Sequence, residues 1–154
     1  MENNQKETQN PTNIEDLKKG RFIVNTSAII FDTKTKKILI GKRKDDPFIK
    51  DMTWCFPCGR PTKKDTLEQA LKREVKIKTG LEIESLGPIF VRIVEYNPEF
   101  LSIFYLCEVT GGELKAGEKL VEVKWVNPED LEKEFTTPLD PKLKEYIMGL
   151  KAQW

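Results

Sequence analysis

A carboxylate and an ammonium group share the inward side of one predicted helix. Glu74 and Lys78 form an i,i+4 pair, and at about 100° per residue both continue the apolar stripe of that helix. The stripe consists of Leu67, Ala70 and Leu71. A carboxylate on the apolar side of a helix is costly without a partner, so two interpretations stand. Either the pair lies at the edge of the core and stabilises the helix modestly, or both side chains face a pocket.

The residues around this helix resemble a known signature. Gly59, Asp65, Arg73-Glu74-Val75 and Gly80-Leu81 resemble the motif of the Nudix hydrolases, Gly-x5-Glu-x7-Arg-Glu-U-x-Glu-Glu-x-Gly-U, in which U is apolar. Similar surroundings are Trp54-x-Phe-Pro57, the preceding strand that ends at Arg43, and the segment 125–131. The resemblance therefore covers residues 21–151.

The resemblance implies a fold, a reaction and a cofactor. The expected fold class is α/β, a Nudix-like αβα sandwich with a central mixed sheet. The expected reaction is MutT-like hydrolysis, in which water attacks one phosphorus of the pyrophosphate in a nucleoside diphosphate derivative. A loop–helix–loop holds Mg²⁺ or Mn²⁺ there, because Mg²⁺ needs several oxygen ligands and phosphoryl chemistry needs positive charge. The implied partner is a nucleotide-type small molecule, and the family often forms homodimers.

The resemblance and the residue types together define the candidate site. The predicted catalytic residues are Glu74 and Arg73, although Arg73 more readily orients its neighbours than touches substrate. The predicted metal-site residues are Glu74 and Gly59. The predicted substrate-binding residues are Arg43, Arg60, Lys78 and Glu118. For Arg43, Arg60 and Glu118, a solvated side chain is the alternative interpretation.

The sequence departs from the signature at the metal-binding positions. Ile77 and Lys78 stand where the family has two adjacent glutamates, Asp65 replaces the first glutamate, and Cys58 replaces a glycine. Glu74 remains of three helix carboxylates, so the local charge changes from about −3 to about 0 and Mg²⁺ affinity should fall sharply. Loop carboxylates could rebuild a metal site, and the candidates are Glu95, Glu99, Glu118 and Glu122. Alternatively, Lys78 takes the metal position and holds phosphate directly.

These departures predict a Nudix-type hydrolase with reduced or altered activity. The alternative is a noncatalytic nucleotide-binding or interaction domain on the same fold, because folds outlast the chemistry of their sites. A less favoured alternative is thiol redox chemistry, since Trp54-Cys55-Phe-Pro-Cys58 resembles the Trp-Cys-x-Pro-Cys motif of thioredoxin-like proteins. That motif needs a helix N-terminus to lower the thiol pKa. Here the apolar helical period begins at Leu67, which favours two structural cysteines.

The elements of an α/β domain must position these groups. β-Branched and aromatic runs predict strands at 22–31, 38–43, 54–57, 89–94, 101–107 and 121–126. Helices are predicted at 65–79, capped by Asp65 or Thr66 and ended by Gly80, and at 129–134 and 141–151. Residues 1–13 are expected to form a flexible tail, and residues 14–154 one domain. The loops 44–53 and 95–100 are expected to set specificity.

Composition excludes several classes of site. The 154-residue chain has no histidine and three cysteines, which removes Ser–His–Asp and Cys–His catalysis, His-ligated zinc and four-thiolate metal sites. With 26 basic and 25 acidic residues, no net field attracts nucleic acid or an anionic membrane. No apolar run is long enough to span a bilayer, and the polar residues 1–10 argue against an export signal. A reduced cytoplasmic protein is therefore expected.

Overall fold

The structure of the chain is a computed structural model that describes residues 14–45 and 53–153, without the side chains at positions 14, 16 and 18. Its strands are β1 (Ile23–Asp32), β2 (Lys37–Arg43), β3 (Trp54–Cys55), β4 (Cys58–Gly59), β5 (Leu81–Ile93), β6 (Phe100–Gly112) and β7 (Leu120–Val126). Its helices are α1 (Ile14–Lys19), α2 (Leu67–Thr79), α3 (Leu131–Glu134) and α4 (Pro141–Gln153), with a 3₁₀ turn at Pro128–Asp130. The predicted tail and residues 46–52 of the first predicted specificity loop lie outside the described residues.

The strands form a mixed sheet in the order β3-β2-β1-β6-β5, with β4 beside β1 and β7 beside β2. The pair β1–β6 is parallel, whereas β5–β6, β1–β2 and β2–β7 are antiparallel. The mixed sheet and the α/β class are as the sequence predicts. Within the described residues, no helix has the length and apolar character needed to cross a bilayer.

Helices cover both faces of this sheet. In β1, Ala28 and Ile30 belong to the core cluster that includes Leu71 and Val75 of α2. The alternate β1 residues, Ile29 and Phe31, belong to a second cluster on the opposite face. That cluster includes Leu131 of α3 and Leu143, Ile147 and Leu150 of α4. The expected αβα sandwich is therefore present.

The sheet opens between its two central strands, β1 and β2. They pair with each other only through Phe31–Ile38 and Asp32–Lys37 in the described part of the chain. Beyond those pairs, β2 continues with β3 and β1 continues with β4. The opening leaves space between the α2 side and the α4 side of the sheet.

Local interactions fix the ends of α2. The Thr66 hydroxyl accepts from Gln69 N at 3.1 Å, and the Gln69 side chain accepts from Thr66 N at 2.9 Å. This reciprocal capping box satisfies two backbone donors that the helix leaves unpaired. Gly80 ends the helix with φ 74°, a conformation that glycine adopts without steric cost. Thr66, one of the two predicted caps, is therefore the cap residue.

The buried face of α2 is rotated from the predicted stripe. Ala70, Leu71 and Lys78 are buried as expected, but Leu67 is 37% exposed and Val75 is fully buried. Residues 67 and 74 are seven apart, so they share one edge of the helix and lie beside the buried face rather than at its centre. Glu74 is accordingly half-buried, with 22% of its side chain exposed.

Several strand and helix bounds differ from the predictions. α1 was not predicted, and its short polar sequence carries little apolar periodicity. β5 begins at Leu81 instead of residue 89 and passes Gly87 and Pro88 with register shifts. It lies at the sheet edge, where a proline removes no essential ladder bond. The predicted strand 54–57 is shortened to β3 (Trp54–Cys55), and a second short strand, β4 (Cys58–Gly59), follows it on the other side of the opening.

Candidate functional site

A cavity of about 560 Å³ occupies the opening of the sheet. Glu74 and Lys78 of α2 line it from one side, and Leu143 of α4 lines it from the other. Phe56 and Phe104, which belong to the α4-side core, form part of its apolar wall. Its volume is in the range that small-molecule sites commonly have.

Basic groups dominate the polar wall of the cavity. The basic residues are Arg43, Lys44, Arg60, Lys78, Arg92 and Lys119, and the acidic residues are Asp45 and Glu74. The whole chain is nearly neutral, so this imbalance is a local property of the cavity. An excess of positive charge between low-dielectric walls favours an anionic ligand.

Lys78 holds the junction between α2 and β4. Its ammonium group donates to the Cys58 carbonyl oxygen and lies 3.5 Å from Glu74 Oε2. The Lys78 side chain is 11% exposed, so both interactions are largely shielded from water. Both interpretations of the Glu74–Lys78 pair therefore apply, because the pair lies at the edge of the core and also faces a cavity.

Glu74 has a second cation beside it. Arg73 Nε lies 3.7 Å from Glu74 Oε1, and Arg73 also donates to Asp65 Oδ1 at 2.6 Å. Gly59 makes room for this arrangement, since a Cβ atom there would overlap the Glu74 side chain. The α2 helix therefore approaches β4 closely enough to place the Glu74 carboxylate on the cavity wall.

The structure brings most of the predicted site residues together. The predicted residues that line the cavity are Arg43, Gly59, Arg60, Glu74 and Lys78. Arg73 lies outside the lining and contacts it through Glu74. Glu118 is exposed and does not line the cavity. The two arginines that do line it, Arg43 and Arg60, belong to a shared site and are not isolated at the surface.

The donor set does not fit the divalent cation that the signature implies. Among the described residues, no three Asp, Glu or Cys side chains cluster in a way that could hold a metal ion. The loop carboxylates proposed as replacements, Glu95, Glu99, Glu118 and Glu122, are all exposed and none lines the cavity. Two cations already flank Glu74, whereas Mg²⁺ needs several oxygen ligands in near-octahedral geometry.

Cys55 and Cys58 form a hydrogen-bonded thiol pair on the cavity wall. The hydrogen bond from Cys55, helped by the charges of Lys78 and Arg43, lowers the pKa of Cys58 to about 6 despite its burial. The same hydrogen bond and burial raise the pKa of Cys55. The activating groups are thus side chains rather than the helix terminus that the thioredoxin-like motif uses, and sequence spacing did not reveal them.

No local sequence pattern indicates a second group of cavity residues. Asn25 of β1, Ser102 of β6 and Arg92 of β5 line the cavity on three adjacent strands. Asn25 is far from the other two in sequence, Arg92 and Ser102 are ten residues apart, and strand register brings all three together. The loop 95–100, predicted to set specificity, contributes Tyr96 and Phe100 to the wall.

Known proteins share both sequence and fold with this chain. A family model of the NUDIX domain matches residues 21–147. An ADP-ribose pyrophosphatase of Methanocaldococcus jannaschii is 34% identical over 126 residues, which cover 77% of this chain and 72% of the relative. An 8-oxo-dGDP phosphatase of Danio rerio is 26% identical over 102 residues, which cover 64% of this chain and 30% of that longer relative.

Solved structures share the architecture. A NUDIX hydrolase from Nitrosomonas europaea matches with a TM-score of 0.68 at 17% identity, over 84% of this chain and 72% of the other. An ADP-ribose pyrophosphatase from Streptococcus suis matches with a TM-score of 0.62 at 22% identity, over 84% of this chain and 90% of the other. At these identities the likeness establishes the fold.

Proposed function

Because the family model spans most of the chain and a 34% identical relative covers most of it, this protein belongs to the Nudix family, and we propose that it binds a nucleoside diphosphate derivative and hydrolyses it slowly. The observation that carries the proposal is the cavity itself, in which Glu74 shares a wall with several basic side chains. A diphosphate carries the charge that this wall attracts. The names of two relatives, an ADP-ribose pyrophosphatase and an 8-oxo-dGDP phosphatase, point to the same substrate class.

The diphosphate is expected to lie against Arg43, Arg60 and Lys78. Arginine presents parallel N–H donors that suit phosphate oxygens, and lysine adds a compact positive charge. Lys78 is already beside Glu74, so a phosphate bound there would contact an ammonium group at a position where the family signature has a carboxylate. In this arrangement the ligand's negative charge is neutralised by the chain's own side chains.

Slow hydrolysis is expected because Lys78 stands where the family signature has a metal-binding carboxylate. An ammonium group can neutralise a phosphate oxygen, but it cannot hold and activate a water molecule as a bound metal ion does. Of the three helix carboxylates in the family signature, this chain keeps only Glu74. Its Oε1 lies 3.7 Å from Arg73 Nε, and its Oε2 lies 3.5 Å from Lys78 Nζ. Binding without hydrolysis is therefore the second candidate function, and the position of Lys78 favours it.

A turnover assay tests the hydrolase. The protein is incubated with ADP-ribose and a panel of other nucleoside diphosphate derivatives, with and without Mg²⁺ or Mn²⁺. We expect slow release of nucleoside monophosphate that Glu74→Gln reduces about tenfold or more, as for loss of a group that acts in the transition state. Turnover that is equal in the wild-type protein and in Glu74→Gln would contradict hydrolysis at this site.

A binding assay tests the second candidate. The nucleotide should raise the melting temperature of the wild-type protein without added metal, because the basic wall supplies the positive charge. Lys78→Glu should weaken this binding and make it more dependent on Mg²⁺, since it places a second carboxylate beside Glu74. If Lys78→Glu changes neither the affinity nor the Mg²⁺ dependence, Lys78 has no role in ligand binding.

The remaining expectations concern the cellular location, the oligomeric state and the thiol chemistry of the protein. We propose a reduced cytoplasmic location from the cysteine usage, and a homodimer from the family resemblance. Sedimentation of the purified protein would measure the oligomeric state directly. A thiol redox role also stays a prediction, and it requires a Cys55–Cys58 disulfide that exchanges with dithiothreitol.

A further inference from the structure

Three polar side chains form a row across the floor of the cavity. Asn25 of β1 is opposite Ser102 of β6, and Ser102 is opposite Arg92 of β5. Residues in register on adjacent strands point to the same face, and all three line the cavity. With strands about 4.8 Å apart, the polar row is roughly 10 Å long. We call Asn25, Ser102 and Arg92 the polar row.

Arg92 lies at the end of the row with an unused donor. Its Nε atom is fully buried and has no hydrogen-bond partner among the described residues. Its guanidinium carbon lies 5.8 Å from the centre of the Phe104 ring and 5.9 Å from that of Tyr96. These rings hold the guanidinium by cation–π contacts without accepting its in-plane hydrogen bonds. A buried donor without an acceptor is costly, so a ligand that supplies one gains affinity there.

The donor pattern of Arg92 selects the ligand group. A guanidinium presents adjacent N–H donors and no acceptor, so it pairs best with two adjacent acceptors in one plane. Guanine offers this pair on one edge, O6 and N7, whereas adenine offers N7 beside an amino group that is itself a donor. A phosphate would also offer acceptors, but Arg43 and Lys78 already place positive charge at Cys58 of β4, on the other side of β1 from Arg92.

We propose that Arg92 and the polar row form a base-binding subsite that selects a 6-oxopurine nucleotide over an adenine nucleotide. This inference rests on the proposed function, because it takes Arg43, Arg60 and Lys78 as the side chains that contact the diphosphate. The apolar wall formed by Phe56, Phe104 and Leu143 borders the space that a planar base requires. The Ser102 hydroxyl and the Asn25 amide follow Arg92 in the row. Both groups can donate and accept, so they suit the remaining polar atoms of the nucleoside.

Isothermal titration with diphosphates that differ in the base tests the proposal. GDP and IDP, which share O6 and N7, should bind the wild-type protein roughly 5- to 150-fold tighter than ADP, the range for one bidentate pair. 7-Deaza-GDP, which lacks the N7 acceptor, should lose most of that advantage. Arg92→Gln should reverse the preference toward ADP, because a glutamine amide pairs with the adenine N6 and N7 edge. Arg60→Gln is the matched control and should weaken GDP and ADP by similar factors.

The outcomes separate this inference from the proposed function. Equal affinities for GDP, IDP and ADP, or a preference for ADP, overturn base selection and leave diphosphate binding intact. If Arg92→Gln weakens GDP and ADP by the same factor, Arg92 binds phosphate and the inference is wrong. If Arg92→Gln does not fold, the wild-type comparison of GDP with 7-deaza-GDP decides the question alone. Absence of binding by all nucleotides and by inorganic pyrophosphate overturns both proposals.

Discussion

The ionisation of the Cys58 thiol depends on four neighbouring side chains. Hydrogen bonds from Cys55 and Asn25 and the positive charges of Lys78 and Arg43 lower its pKa to about 6. At pH 7 a larger fraction of Cys58 than of an unperturbed cysteine should therefore be thiolate. Cys107 provides a contrast, because burial raises its pKa to about 12.

Alkylation by iodoacetamide should show this difference. At pH 7 Cys58 should react faster than Cys107 by at least about tenfold, and its rate should fall as the pH drops below about 6, since the thiolate is the nucleophile. Mass spectrometry of the alkylated peptides measures both rates in one sample. Cys55→Ala removes the hydrogen bond, so the alkylation rate of Cys58 should rise only at higher pH than in the wild-type protein. A Cys58 rate that stays constant between pH 5 and 8 would contradict the lowered pKa.

Residues of the site differ in how far the sequence could reveal them. Glu74 and Lys78 were identified because they share a helix with the signature, and Arg43 and Arg60 because they flank its first strand and glycine. Arg92 and Ser102 sit in strands whose sequences show no local sign of a site. Their proximity depends on the β5–β6 register, which single-sequence patterns do not specify.

At the scale of elements, the loop before α2 is tied to the helix by one carboxylate. Asp65 accepts from Arg73 at 2.6 Å and from the backbone and hydroxyl of Thr62 at 3.0 Å and 2.8 Å. These bonds, with Arg73 the largest cause, hold the pKa of Asp65 well below its usual range. Asp65 therefore keeps the loop in place in its charged form.

The stabilisation from Asp65 should depend on pH. The folded-state pKa is lowered, so the contribution is fully present above the unfolded-state pKa near 4 and is lost as the pH falls below it. Urea unfolding should show Asp65→Asn less stable than the wild-type protein at pH 7, with a smaller difference at pH 3. Glu84→Gln, which breaks the exposed 2.8 Å pair with Lys72, is the matched control and should change stability by less than about 1 kcal/mol. A difference for Asp65→Asn that is unchanged at pH 3 would argue against the charged contacts.

Elements with strong local signals were predicted well. α2 has a cap, an apolar period and a C-terminal glycine, and its observed bounds lie within two residues of the prediction. The predicted strand at 89–94 begins eight residues after the start of β5, because Gly87 and Pro88 are typical of strand ends and only their pairing with β6 continues the strand across them. α1 was missed because tertiary context, rather than an apolar period, decides such a short helix.

At the scale of the whole molecule, α4 serves both the core and the cavity. Leu143, Ile147 and Leu150 are buried against the sheet, but of these only Leu143 also lines the cavity among the described residues. The two roles are thus separated along one helix. Substitutions on α4 can therefore distinguish effects on folding from effects on binding.

Ile147→Ala should lower stability without changing the binding site. The side chain is fully buried in the α4-side core, so its truncation should cost about 2–5 kcal/mol in urea or thermal unfolding. Below the unfolding transition, its nucleotide affinity should equal that of the wild-type protein. At a ligand concentration of about 100 Kd, the nucleotide should then add the same stabilisation to both, about 2.7 kcal/mol, because binding and folding are linked through the native state.

Leu143→Ala and Glu145→Ala complete the comparison on α4. Leu143→Ala should lower both stability and nucleotide affinity, since it removes a buried side chain that is also part of the cavity wall. Glu145 is exposed on the same helix, so Glu145→Ala should change stability by less than about 0.5 kcal/mol. If Ile147→Ala weakens nucleotide binding as much as Leu143→Ala does, the cavity is not a locally built site, and its shape depends on the packing of the whole α4 layer.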